Sequence, residues 1–316
     1  MKVLANDGIS QTGVQALEKA GFEVITTKVA QEQLENYINE NKIDVILVRS
    51  ATTVRKELID ACPSIKVIGR GGVGMDNIDV EYARNKGIKV INTPAASSAS
   101  VAELVFAHLF SGVRFLNDAN RSMPLDGDSK FKDLKKAYAK GVELRGKTLG
   151  VIGFGRIGQE VAKIGIGCGM KVIASDPYVN QAIIKLDFFD GQQAKFDIRT
   201  VSKEEVLQEA DLLTLHVPAQ KEYVIGKKEI EQMKTGAGIV NAARGGVVDE
   251  AALLEALDNN KLAFAGLDVF ENEPKPAVKV LMNPKVSLTP HIGAATNEAQ
   301  DRIGSELAEQ IIEILK

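Results

Sequence analysis

Three segments place groups that could hold a carboxylate or move a proton directly after apolar runs. They are Asn241-Ala-Ala-Arg244-Gly-Gly, Gly266-Leu-Asp268-Val-Phe-Glu271-Asn-Glu273-Pro and Leu288-Thr-Pro-His291-Ile-Gly-Ala-Ala-Thr. An arginine fork can hold a carboxylate through two parallel bonds. Histidine takes a proton near neutral pH, and a glutamate beside it favours the resulting imidazolium. Arg244, Glu273 and His291 therefore suit the oxidation of a hydroxy acid with a nicotinamide as hydride acceptor. Taken singly, each has a plainer reading: an arginine before two glycines can brace a loop, and Glu-Asn-Glu-Pro can be a solvated turn. His291 stands out among the three histidines because small residues follow it and let a ligand approach. His108 lies in an apolar helical stretch and reads as a core or subunit-interface residue. His216 opens His216-Val217-Pro218, where it either borders the adenine side of a cofactor or structures its own loop.

A dinucleotide site is written at residues 148 to 158, where an apolar strand runs into Gly153-x-Gly155-x-x-Gly158. The first glycine permits the tight turn, the second lets backbone approach a pyrophosphate, and the third lets helix and strand pack closely. The pyrophosphate is expected on free N–H groups at the start of the helix through Gln159 to Ile164. Asp176 closes the next strand. Its carboxylate can accept from both ribose hydroxyls and repel a 2′-phosphate, so NAD is expected rather than NADP.

The elements needed to position these groups are legible as short apolar runs separated by amphipathic stretches. Runs at 3–5, 24–25, 45–48, 67–68 and 90–91 predict five parallel strands with covering helices, among them Thr12 to Ala20 and Gln31 to Asn39. A second series at 149–152, 172–174, 212–215, 238–240, 264–267 and 287–288 contains the glycine-rich turn. The fold class is thus α/β with two doubly wound parallel sheets, whose strand carboxyl ends are expected to carry the chemistry. Long helices are expected at Ser100 to Phe115 and Glu298 to Ile314, the latter returning to pack on the first domain; residues 117–147 carry no clear pattern. The chain has 316 residues, 45% hydrophobic, with a formal charge of −3, which gives no electrostatic reason to expect nucleic acid. No signal peptide or twenty-residue apolar span is present, so a cytoplasmic protein without a membrane partner is expected. The two cysteines, Cys62 and Cys168, lack metal-ligand spacing, so neither a metal nor a disulfide is expected.

The order of these blocks resembles the D-isomer-specific 2-hydroxyacid dehydrogenases, most closely their phosphoglycerate-oxidising branch. The resemblance covers Val48-Arg-Ser-Ala-Thr52, Gly69 to Asp79, Ile91-Asn-Thr-Pro94, Ala102-Glu-Leu104 and every segment quoted above. It implies a flavodoxin-like substrate domain of residues 1–98 and 292–316 around a Rossmann NAD-binding domain of residues 99–291. It implies that Arg244, Glu273 and His291 are catalytic and that Asp176 holds the ribose. Arg156 and Ile157 would lie at the pyrophosphate, with Gly153, Gly155 and Gly158 in the turn and His216, Val217 and Pro218 beside it. Asp268 would meet the carboxamide, and backbone of Ala242, Ala243, Arg244, His291, Gly293 and Ala294 would line the nicotinamide pocket. The Gly71–Gly74 loop, including Gly72, Val73 and Gly74, resembles the family loop that receives the substrate carboxylate. Arg49 with Ser50, Arg70 and Arg121 could then meet a substrate phosphate.

The expected reaction is oxidation of 3-phosphoglycerate to 3-phosphohydroxypyruvate by a homodimer using NAD. A hydroxypyruvate or glyoxylate reductase is the alternative, and an NADH-sensing corepressor module is a remote one. The absence of tryptophan, with Phe131 in its place, and the Asn92-Thr-Pro-Ala-Ala-Ser-Ser run depart from the branch. The chain ends about twenty-five residues after His291, so a C-terminal regulatory domain and feedback inhibition by serine are not expected.

Overall fold

The computed structural model describes residues 1–316. The chain divides into two compact units, Met1–Ser100 with Ala294–Lys316, and Val101–Gly293. In the first unit β1 (Lys2–Ala5), β2 (Glu23–Ile25), β3 (Val45–Val48), β4 (Val67–Arg70) and β5 (Lys89–Asn92) alternate with α1 (Gln11–Lys19), α2 (Leu34–Asn41), α3 (Lys56–Ala61) and α4 (Val80–Asn85). The strands are all parallel in the order β2-β1-β3-β4-β5. Every residue of β3 is buried, as expected of a strand covered on both faces, which explains why Val45-Ile-Leu-Val48 reads as a continuous apolar run.

The second unit begins within α5 (Ser98–Val113) and continues through α6 (Leu116–Asp126) and α7 (Phe131–Ala137). Residues 117–147, unpatterned in the sequence, therefore supply two helices. There follow β6 (Thr148–Ile152), α8 (Arg156–Gly167), β7 (Lys171–Ser175), β8 (Gln181–Asp187), β9 (Gln193–Arg199), α9 (Lys203–Glu209) and β10 (Leu212–Leu215). The unit continues with α10 (Lys227–Gln232), β11 (Ala237–Asn241), α11 (Glu250–Asp258), β12 (Leu262–Leu267), α12 (Val278–Met282) and β13 (Val286–Leu288). Its parallel sheet has the order β13-β12-β11-β10-β6-β7, so strand order reverses between β6 and β10. Ligands of open α/β sheets bind beyond the carboxyl ends at such a switch point.

The chain closes with α13 (Asn297–Leu315), which returns to the first unit and lies against α1. The two helices approach closely at glycines: a Cβ at Gly13 would sit 2.7 Å from the Gly304 carbonyl oxygen.

The strand series expected from sequence has no element between residues 174 and 212, yet β8 and β9 form an antiparallel hairpin there. Ala182, Ile184 and Leu186 pair across from Ile198, Phe196 and Ala194, and Ile184 and Ile198 are buried in one cluster with Val161 and Ala162 of α8. Asp190-Gly191 makes the turn, with Gly191 at φ +84°. Beyond the hairpin the sheet continues only as a single bridge, Thr200 beside Ala174. No single helix is long and apolar enough to cross a membrane.

Candidate active site

The glycine-rich turn leaves β6 at Gly153, whose φ of +90° only glycine adopts without strain. A Cβ there would meet the His216 carbonyl oxygen at 2.4 Å, and one at Gly158 would meet the Gly153 carbonyl oxygen at 2.2 Å. Gly155, the N-cap of α8, faces open space, and no side chain caps the helix. The first N–H groups of α8, at Arg156 and Ile157, thus point to a glycine-floored cradle with the positive end of the helix behind it. Asp176 is fixed beside this turn. Its Oδ2 accepts Phe154 N–H at 2.7 Å, and its Oδ1 accepts the N–H groups of Tyr178 and Val179 at 2.8 and 3.0 Å. A carboxylate has about four acceptor sites, so Oδ2 retains capacity for a ligand hydroxyl. These residues fit the adenosine and pyrophosphate of a dinucleotide.

His216 follows β10. Its Nε2 lies 3.1 Å from Thr214 Oγ1, whereas its Nδ1 is buried without a partner. Val217 packs against Gly153 and Pro218 is exposed. The ring is thus placed beside the turn, with Nδ1 enclosed and unpaired.

The loops after β11, β12 and β13 bring Arg244, Glu273 and His291 into one unit. Asn241 closes the first loop with both ends of its amide: Oδ1 accepts Ala243 N–H at 3.0 Å and Nδ2 donates to the Arg244 carbonyl at 3.0 Å. Arg244 Nη1 donates to the Ala243 carbonyl at 2.6 Å. The next residue lies flush against the second loop, since a Cβ at Gly245 would sit 1.8 Å from the Phe270 carbonyl oxygen. In that second loop Glu273 Oε1 accepts Phe270 N–H at 3.0 Å, and Oε2 lies 2.8 Å from His291 Nδ1. Glu271 of the same loop exchanges bonds with Glu250: each accepts the other's backbone N–H, tying α11 to the loop.

His291 has φ +55°, uncommon for a residue with a Cβ. Asp268, only 1% exposed, holds it there. The Asp268 carbonyl accepts His291 N–H at 2.8 Å. The carboxylate accepts Ile292 N–H, Gly293 N–H and the Thr289 hydroxyl at 2.8, 2.8 and 2.6 Å. Sequence reasoning named Asp268 as a ligand contact and did not foresee this bracing. Ala294 belongs to the other unit, where its carbonyl accepts Gln300 Nε2.

In the first unit Arg49 leads a turn pinned by Asp7, whose Oδ2 accepts the N–H groups of Arg49 and Thr52, and by Asn77, which donates to the carbonyls of both. Burial pushes the Arg49 guanidinium down from its ordinary value, opposed by the charge of Asp7. Ser50 is exposed on the same turn. Arg70 folds back over its own loop: Nη1 donates to the Gly71 carbonyl at 3.1 Å, above Gly72 at φ +138°. A Cβ at Gly72 would sit 1.6 Å from that nitrogen. Val73 is exposed, with its carbonyl held by Asn92, and Gly74 is half-buried.

Arg121 belongs to the second unit. It is exposed on α6, whose Asn117 bonds the Val286 carbonyl at the amino end of β13, the opposite end from the three loops. A cavity of about 640 Å³ also opens at those amino ends, lined by Phe115, Tyr138, Lys234, Phe264 and Lys285, away from the Glu273–His291 pair.

Residues 106–293 match the family model described as D-isomer specific 2-hydroxyacid dehydrogenase, NAD binding domain, and this chain belongs to that family. It is 42% identical over its whole length to a D-3-phosphoglycerate dehydrogenase of Methanocaldococcus jannaschii, of which it spans 58%. It is also 42% identical, over 99% of the chain and 98% of the relative, to a hydroxypyruvate reductase of Thermotoga maritima. Among solved structures, the NAD⁺-bound 3-phosphoglycerate dehydrogenase of Entamoeba histolytica superposes with a TM-score of 0.76 at 29% identity, covering 99% of this chain and 95% of that one. The chain thus spans little more than half the length of several curated relatives and nearly all of another.

Burial pushes the His216 imidazole down to about 3 from an ordinary value of 6.5. The unfolded chain therefore binds the extra proton between those values, and stability present above about pH 6.5 is lost as pH falls toward 3, by at most about 1.4 kcal/mol per unit for one proton. Urea midpoints compared between neutral pH and about pH 4 should fall less for His216→Gln than for the wild type; parallel curves would mean that the ring is solvated.

Proposed function

We propose that this chain is an NAD-dependent dehydrogenase of D-2-hydroxy acids and that its substrate is 3-phosphoglycerate, oxidised to 3-phosphohydroxypyruvate. The observation that carries the reaction type is the Glu273–His291 pair, 2.8 Å apart and packed with the Arg244 loop beyond the carboxyl ends of a parallel sheet. Because Nδ1 of His291 faces a carboxylate, the ring proton belongs there, and Nε2 is the lone pair that takes the alcohol proton. Glu273 stabilises the imidazolium so formed. Arg244 holds the substrate carboxylate in its fork. NAD, when bound, accepts the hydride from the alcohol carbon. The names of several relatives and the half-buried Arg49 support a phosphorylated substrate. The Thermotoga relative, matched nearly end to end, supports hydroxypyruvate reduction as the second reading, as does the folding of Arg70 onto its own loop.

A homodimer is part of this proposal. Phe110, Leu116, Met123, Leu125 and Phe131 expose apolar side chains along α5, α6 and α7, more than a monomer ordinarily leaves to water. Sedimentation velocity at micromolar concentration should show a dimer, and an active monomer there would refute the pairing.

Positioned acid–base catalysis contributes about two to four powers of ten in rate, so His291→Ala should lose at least about a hundredfold in kcat while still binding NADH. Glu273→Gln should cost about tenfold to a hundredfold by removing a charged partner. Near-normal turnover in His291→Ala would assign the proton to another group.

Charge at the substrate tail is tested separately. Arg49→Ala should reduce kcat/KM for phosphoglycerate by about tenfold to a hundredfold and leave activity on hydroxypyruvate nearly unchanged. Equal losses on both substrates would favour the reductase reading.

A further inference from the structure

His108 sits on α5 among buried Val105, Phe106 and Leu109 and is itself 2% exposed. It is the one histidine the reaction scheme and the glycine-rich turn do not use. A polar ring in such surroundings needs partners for both nitrogens. It has them: Nδ1 lies 2.9 Å from Ser287 Oγ and Nε2 lies 3.0 Å from Thr289 Oγ1. The backbone makes room for the ring, because a Cβ at Gly266 of β12 would fall 2.6 Å from His108 Cβ and 2.9 Å from its Cγ.

The directions of these bonds follow from the far end of the chain. Both oxygens of Asp268 accept backbone N–H groups, and a carboxylate has no proton of its own to donate. The Thr289 hydroxyl at 2.6 Å must therefore donate to Asp268 Oδ1. Its oxygen then accepts from His108, so the proton of the neutral ring is on Nε2 and the Ser287 hydroxyl donates to Nδ1. Burial lowers the basicity of this ring, against the opposing charge of Asp268, consistent with the neutral form. The relay runs in one direction, Ser287 to His108 to Thr289 to Asp268, and ends on the carboxylate that anchors Ile292 and Gly293 directly after His291.

We propose that His108 is a positioning residue for His291: by donating to Thr289 it orients the hydroxyl that braces Asp268, and Asp268 in turn holds the left-handed backbone that aims the His291 ring at Glu273. The proposal rests on His291 being the proton acceptor. His108 touches neither substrate nor cofactor, and its effect reaches the reaction through the loop.

The chain has three histidines, so ¹⁵N-histidine labelling reports each ring separately. In the wild type His108 should show the Nε2–H tautomer. His108→Leu removes the donor while keeping the site filled; it should lower kcat about tenfold or more, leave KM for NAD within about twofold, and move the His291 ring resonances. His108→Gln can place an amide N–H toward Thr289 and should restore at least half of kcat. Should His108→Leu fail to fold, Thr289→Val cuts the same relay one link on and should give the same kcat loss and the same His291 shift. An Nδ1–H tautomer at His108, unchanged His291 resonances in the variants, or a kcat loss that glutamine does not relieve would each overturn the proposal. Full activity in His291→Ala would instead remove His291 as the proton acceptor, a result distinguishable because the resonance measurement still reports whether His108 orders that ring.

Discussion

The Asp268 carboxylate is the constraint on which the candidate active site depends. Burying a charge at 1% exposure is costly unless donors replace its water, and three do: the Thr289 hydroxyl and the N–H groups of Ile292 and Gly293. Hydrogen bonds to charged groups are worth roughly 1.5 to 3 kcal/mol each, enough to keep His291 in a backbone region that costs a residue with a Cβ on the order of 1–3 kcal/mol. The strain and its compensation lie within six residues of chain and one neighbouring strand. These bonds set the direction of the loop that carries His291 to Glu273.

Parallel strands do the rest of the gathering. Because every strand of the second unit's six-stranded sheet points the same way, the residues that follow β6, β10, β11, β12 and β13 emerge on one edge, which gathers Gly153, His216, Arg244, Asp268 and His291 there. Three glycines set how closely the layers meet. Gly153 admits the His216 carbonyl, Gly245 admits the Phe270 carbonyl, and Gly266 admits the His108 ring. A methyl group at any of them would separate two parts of the site by more than the bonds there tolerate. The first unit organises its own turn differently, with Asp7 and Asn77 bonding the backbone around Arg49 in place of a close glycine contact.

Much of this was legible in the chain before folding was considered. Central parallel strands such as β3, β10 and β11 are continuous apolar runs because both faces are covered, and all eleven strands of the two parallel sheets coincide with runs visible in the sequence. The glycine spacing announced the turn, and the acid at the end of β7 stands beside it, because both are local consequences of strand, turn and helix in register. The hairpin β8–β9 was also written locally, as Asp190-Gly191 between alternating segments. It is absent from the strand series because that series follows continuous apolar runs, and here the inward residues alternate with exposed ones.

What tertiary structure alone decided were the partnerships between segments remote in sequence. Asp268 is expected in sequence to meet a cofactor carboxamide, and in the fold its bonds reach residues more than twenty positions away. His108 looked like an interior residue and is one, but its ring bonds residues about 180 positions distant. Arg121 reads in sequence as a further cation for an anion site, and the fold puts it on a helix whose Asn117 bonds the amino end of β13. Periodicity and turn chemistry are properties of a few consecutive residues, so sequence carries them directly. Which buried polar atom meets which is set by the packing distance between elements, and that distance exists only once the sheet and its covering helices have formed.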